Sequence, residues 1–201
     1  MNHIDPIRDR FQRYQPKIIG AGDWRQAAVA LTLRHNDGYI EALLIERAHH
    51  KDDPWSGHMA FPGGGVEQQD ADPRAAAERE TLEEVGIELE GAEWLGRLDD
   101  QRGRAQGANL DLVISAFVYF LSESVEASPN HEVRAALWVP LNTMLDPTRH
   151  VRQRFSAHGD DLYPGIRVSH SENHVVWGLT HRFLDMFFEV VGQPLPKVQR
   201  R

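Results

Sequence analysis

The sequence contains no cysteine, which removes disulfides, zinc–thiolate sites and thiol nucleophiles from its chemistry. No apolar run approaches the roughly 18 residues that suggest a membrane span. The stretch Met1 to Tyr14 is polar and charged and has no apolar signal core. Basic residues are outnumbered: 22 Lys and Arg against 30 Asp and Glu give a formal net charge of -8. That balance disfavours broad binding to nucleic-acid backbones. These absences predict a cytoplasmic chain with no membrane and no nucleic-acid partner. Internal repeats and low-complexity tracts are missing too. What is present is 41% hydrophobic residues among 201, enough for a real core in one medium domain with extensions. An acidic chain that acts on a small anionic substrate must neutralise it locally, and a bound metal is the obvious means.

The pattern is mixed α and β. Ala27 to Leu33 reads as a buried strand, Asn36-Asp37-Gly38 as a turn, and Tyr39 to Glu46 as the return strand. His49 to Gln69 has neither a helical nor a strand period and is expected to be a long functional loop. Pro73 to Val85 reads as a helix, with Asp72 as N-cap, Pro73 in the first turn and Gly86 as the stop. Further strands are expected at Glu93 to Leu98, Asp111 to Phe120 and Val133 to Val139, with a mobile loop over Asp99 to Ala108 that can close over substrate. A short helix at Leu141 to Leu145 and a short strand at Ile166 to Val168 follow. The last helix is expected from about Asn173 to Val190, where apolar residues recur at three- and four-residue steps. This divides the chain into an N-terminal arm or helix (1–24), a main domain (25–192) and a tail (193–201).

The helix carries Arg79-Glu80-Thr81-Leu82-Glu83-Glu84. At about 100° per residue, Glu80, Glu83 and Glu84 share one arc, while Ala77, Thr81, Leu82 and Val85 are expected to pack inward. Three carboxylates so spaced repel one another. A divalent cation removes the conflict, because hard oxygen ligands suit magnesium or manganese. Arg79, four residues before Glu83, can orient that carboxylate. Glutamates alone would equally suit an acidic face beside a basic neighbour. The upstream loop Phe61-Pro62-Gly63-Gly64-Gly65 adds a second signal, because consecutive glycines let the backbone turn its polar groups toward a metal or phosphate.

Together these segments resemble the Nudix signature, G-x5-E-x7-R-E-U-x-E-E-x-G-U with U a bulky aliphatic residue. Arg79 to Ile87 fills its second half without a gap, with Thr81 in an aliphatic slot. In the first half, starting from Gly65 puts Ala71 at the glutamate slot. Starting from Gly64 puts Asp70 there with one extra residue before Arg79, and this register is favoured. The resemblance implies an α/β/α sandwich around a mixed β-sheet. It implies hydrolysis of a nucleoside diphosphate linked to another group, with Mg2+ or Mn2+ held by Glu80, Glu83, Glu84 and a backbone carbonyl at Gly64 or Gly65, and Arg79 as brace. Glu132, just before the Leu137-Trp138-Val139-Pro140 segment, is the candidate for a separate proton acceptor. A solvent-facing loop glutamate is the competing reading for it.

Leu43-Leu44-Ile45-Glu46-Arg47, followed by Gly57 and Phe61-Pro62-Gly63-Gly64, resembles the motif of the coenzyme A pyrophosphatase branch. It lacks that motif's usual threonine at Ile45, and its Arg47-to-Gly57 spacing is one residue longer. Coenzyme A or an acyl derivative is one candidate substrate. A dinucleotide, ADP-ribose or a nucleotide sugar is the alternative. Arg47, Trp55, His58 and Arg104 are candidate substrate contacts, with Arg102 and Arg167 as further ones. A non-catalytic nucleotide sensor on the same fold is the reading from another class, and a homodimer is left open. His170, His174 and His181 do not have the spacing of a standard zinc motif, and His181 is expected on an exposed helix face.

Overall fold

The computed structural model describes residues 1–49, 56–105, 108–154, 161–172 and 174–197, with the side chains at 104–105 and 108–109 excepted. In chain order the elements are α1 (Asp5–Phe11), β1 (Arg25–Asn36), β2 (Tyr39–Arg47), β3 (Met59–Ala60), β4 (Gly63–Gly65), α2 (Pro73–Val85), β5 (Glu93–Arg97) and β6 (Gln101–Ala105). They continue as β7 (Ala108–Leu121), β8 (Val133–Pro140), α3 (Leu141–Leu145), β9 (His150–Gln153), β10 (Tyr163–Arg167), β11 (Val175–Trp177) and α4 (Gly178–Val190).

The strands sort their apolar side chains by the two-residue period of extended chain. Leu31 and Leu33 of β1, Ala42 and Leu44 of β2, and Ala116 and Val118 of β7 face one core, which α1 and α4 close with Ile7, Phe11, Phe183, Leu184, Phe187 and Phe188. Ala28 and Ala30, Leu43 and Ile45, and Phe117 and Tyr119 face the other core, which α2 closes with Ala76, Ala77 and Val85. Each fully buried leucine, isoleucine, valine or phenylalanine among them contributes about 1.5–3 kcal/mol. The outcome is the expected sandwich, a mixed sheet between helical layers.

The main sheet runs β3-β2-β1-β7-β5, with β4 on β1, β6 on β7 and β8 on β2. Strands β1 and β7 are parallel, from Arg25 opposite Leu112 to Arg34 opposite Leu121. Strand β1 changes partner along its length. Over Leu33 to Asn36 it pairs with β2 through the tight turn at Asp37 and Gly38, whose φ values of 46° and 82° match a type I′ hairpin. Over Ala27 to Val29 it pairs instead with β4. The glycine strand therefore fills the edge that β2 leaves, directly beside α2. A second sheet, β11-β10-β9, lies outside the main one. No helix among the described residues is long and apolar enough to cross a membrane.

Four expectations need correction. The His49-to-Gln69 segment is not strandless, since β3 and β4 lie in it. Glycines have no side chains to alternate, so β4 leaves no periodic trace. The Asp99-to-Ala108 segment holds β6, half of a hairpin with β7, rather than a free loop. Of its described side chains Arg102 faces solvent, so no apolar alternation marks the strand. The last helix begins at Gly178, not near Asn173, because Val175 and Val176 pair with β10 and Gly178 takes a left-handed φ of 63°. His181 is half-buried rather than exposed, and burial lowers its pKa.

Candidate active site

Helix α2 is capped as its sequence dictates. The Asp72 side chain accepts from the Ala75 amide at 2.9 Å, and Gly86 closes the helix in a left-handed conformation. Its packed face holds Ala76, Ala77, Thr81, Glu84 and Val85. The helical step places Glu84 roughly 20° from Ala77 and Leu82 roughly 60° beyond Val85. Leu82 is accordingly 50% exposed, which corrects its expected inward position, and Glu84 takes the inward place.

A buried carboxylate needs a hydrogen-bond donor. Glu84 Oε2 accepts from the Gly63 amide of β4 at 2.9 Å. Gly63 has φ 152°, and a Cβ there would lie 2.2 Å from the Ala28 carbonyl oxygen. One residue on, a Cβ on Gly64 would fall 2.3 Å from Glu80 Oε1. Bare backbone at 63 thus lets β4 lie against β1 with its amide toward Glu84, and bare backbone at 64 leaves room for the Glu80 carboxylate. The amide of Gly63 was not among the expected site groups, although its Pro-Gly-Gly setting was a usable signal.

Arg79 gathers the remaining groups. Its Nε and Nη2 donate to Asp70 Oδ1 and Oδ2 at 3.0 and 3.1 Å, and Nη2 also donates to the Gly65 carbonyl at 3.1 Å. Its Nη1 donates to Glu80 at 3.0 Å and to Glu83 at 3.1 Å. The Arg79 guanidinium holds the Asp70 carboxyl below its usual 3.8. This geometry gives Asp70, not Ala71, the acidic place in the signature. Glu83 shares the Arg79 Nη1 donor with Glu80 but is the most open of the three glutamates, its side chain 55% exposed.

The chain after β7 brings in Glu132. The amides of Ser128 and Asn130 donate to the carbonyls of Val85 and Glu84 at 2.8 and 2.9 Å, satisfying the C-terminal end of α2. Asn130 Oδ1 accepts from the Glu132 amide at 2.8 Å, and the Glu132 carbonyl accepts from the Ala48 amide at 2.7 Å. Glu132 then stands near enough to raise the pKa of both Glu80 and Glu84. Burial is the largest cause in each case. The Glu84 carboxyl is pushed up to about 7, with the Gly63 amide and Arg47 opposing. Glu80 is also raised, against the pull of Arg79.

Carboxylates that burial and one another's charge make hard to ionise, set against open glycine backbone, are a donor set that fits a hard divalent cation. They do not form a ready-made cage: no group of three or more histidine, aspartate or glutamate side chains among the described residues has that arrangement. Arg47 ends β2 on the α2 side, and its carbonyl accepts from the Gly57 amide at 3.1 Å. The His58 ring lies edge-on to Trp177, 4.7 Å between centroids. Trp55 lies outside the described residues. Arg104 has its backbone in β6, while its side chain is not described.

The NUDIX domain profile matches residues 24–158. This chain belongs to the Nudix family. The Nudix relative named Uncharacterized Nudix hydrolase NudL, from Enterobacter sp. (strain 638), is 33% identical over 184 residues, covering 88% of each chain. A fission-yeast protein named Uncharacterized protein C14C4.10c, from Schizosaccharomyces pombe, is 40% identical over 109 residues. That match covers 52% of this chain and 33% of the yeast protein. A solved MutT/nudix family protein from Enterococcus faecalis shares the fold, with a TM-score of 0.56 at 19% identity over 90% of this chain and 66% of that one. As a Nudix member with its helix glutamates in place, the chain is an enzyme of the pyrophosphohydrolase class. Nudix hydrolases in general use divalent metals such as Mg2+ or Mn2+.

Proposed function

We propose that the chain hydrolyses the diphosphate linkage of a nucleoside-diphosphate derivative in a metal-dependent reaction. The observation that carries this reading is the closure of Glu80 and Glu84 on the bare backbone of Gly63 and Gly64, with Glu132 facing them. Glu80, Glu83, Glu84 and the Gly64 carbonyl would hold Mg2+ or Mn2+. When bound, such an ion neutralises diphosphate oxygens and makes a water molecule acidic. Arg79 keeps Glu80 and Glu83 in place and is itself held by Asp70. Glu132 accepts a proton from the attacking water at its carboxylate. Arg47, at the end of β2, supplies the positive charge that receives the substrate's phosphate. His58, Trp55 and Arg104, the last two on the sequence alone, are the residues to test for contact with the rest of the substrate.

Coenzyme A or an acyl derivative is the first substrate to test, because Leu43 to Arg47, Gly57 and Phe61 to Gly64 resemble the motif of that branch. The test is a hydrolysis screen with magnesium or manganese over coenzyme A, NADH, ADP-ribose, diadenosine polyphosphates and nucleotide sugars. Cleavage at the diphosphate of any of them supports the reading. Binding without turnover of any would replace it with the sensor reading.

A further inference from the structure

On β2 the side chains that face the α1–α4 core are Ile40, Ala42, Leu44 and then Glu46. The strand period calls for an apolar residue at this last place. A carboxylate stands there instead, only 4% exposed. Its two oxygens take different partners. Oε1 accepts from Arg134 Nη1 of β8 at 3.1 Å, and Oε2 accepts from His174 Nε2 at 3.2 Å. His174 precedes β11, and its Nδ1 lies 2.7 Å from Ser169 Oγ. Ser169 Oγ also accepts from the Ser171 amide at 2.9 Å, and because a carboxylate only accepts, the ring proton toward Glu46 sits on Nε2.

The register of β2 with β8 gives this cluster its meaning. Glu46 lies opposite Ala135, but Arg47 lies opposite Val133. Arg134 is therefore the extra residue of a β-bulge, and its side chain is the one that Glu46 holds. Bulges beside a site re-aim the residues that flank them. The flanking residues here are Arg47 on one strand and Glu132 before the other, both turned to the α2 side. An ion pair to a side chain as open to water as Arg134 adds little net stability, so the cluster's contribution lies in geometry.

We propose that Glu46 is a positioning residue that locks the β8 bulge at Arg134 and the turn at His174. Through that lock it sets where Arg47 and Glu132 stand against the glutamate helix. The kinetic part of this inference rests on the hydrolase reading; the structural part does not. Glu46→Met removes both hydrogen bonds at similar volume. Arg134→Ala removes one of them from a side chain that is 56% exposed, and so leaves the core intact.

Hydrogen exchange is measured on each full-length variant. The Ala48 amide, which donates to the Glu132 carbonyl, should lose protection by about tenfold, while Leu31 and Val118 amides hold theirs. With coenzyme A and Mg2+, or ADP-ribose if coenzyme A is not cleaved, kcat/KM should fall about ten- to a hundredfold with Tm nearly unchanged. Glu46→Gln, which keeps one acceptor, should fall between. If Glu46→Met does not fold, Arg134→Ala carries the same two measurements. Unchanged exchange at Ala48 overturns the proposal whatever the kinetics do, and so does unchanged kcat/KM in a variant whose wild type turns over. A wild type that cleaves nothing defeats the hydrolase reading instead, and the exchange result then decides the positioning role alone.

Discussion

Glutamate 84 is costly to bury and yet sits on the packed face of its helix, where one backbone amide receives it. Glu84→Gln keeps an oxygen for that amide and removes the charge. Turnover should fall by at least about a hundredfold while the melting curve stays in place, as steady-state rates and a thermal scan would show. The two neighbouring glycines should respond differently to alanine. At Gly63 the added Cβ meets the rigid backbone of Ala28 and the φ is strained, so Gly63→Ala should destabilise the fold by about 3 kcal/mol or more. At Gly64 it meets only the movable end of Glu80, so Gly64→Ala should fold normally and lose activity. Equal Tm losses in both would refute this distinction. Asp70 adds a pH dependence. Its folded pKa lies below the ordinary 3.8, so its pairing with Arg79 stabilises the protein above that value and is lost as pH falls through the folded pKa. Asp70→Asn should therefore lower stability at neutral pH and flatten the acid limb of a denaturation-versus-pH series.

At the scale of elements, α2 depends on its first turn. Asp72→Ala leaves the Ala75 amide without its side-chain acceptor and should cost about 1 kcal/mol, read as a lower urea midpoint at unchanged slope. The bounds of this helix, Asp72 to Gly86, were legible in the sequence because both caps are written there, although its packed face was not. The hairpin at Asp37-Gly38 was legible from its turn residues between two apolar runs. What escaped was backbone pairing without side-chain pattern. Three glycines in β4 and the polar strand β6 carry no alternation, and their positions come from the edges of β1 and β7. The acidic cluster was visible as residue types, but its division was not. Whether Glu83 or Glu84 turns inward depends on which arc packs, and Leu82 misled because an apolar side chain suggests burial that Ala77, Thr81 and Val85 had already claimed. Asp70 could be narrowed to one of two positions by spacing, but only its bidentate pairing with Arg79 separates it from Ala71.

At the scale of the whole molecule, the site joins segments from β2, β4, α2 and the approach to β8, so binding at it should stabilise the entire fold. Millimolar Mg2+ or Mn2+ should raise Tm by several degrees and a chelator should reverse the shift. A Tm indifferent to both ions would count against the metal reading. The parallel pairing of β1 with β7 was a global feature that no local pattern announced, since it joins Arg25 to Leu112 across the glycine strand, α2 and four further strands. That pairing has a price in time. A chain emerging from the ribosome displays the apolar β1 long before its central partner exists, and closing so large a loop is a slow step. Refolding should thus be limited by the arrival of β7, and the vulnerable species should be a half-made chain whose glutamate helix has formed beside a sheet still missing its middle.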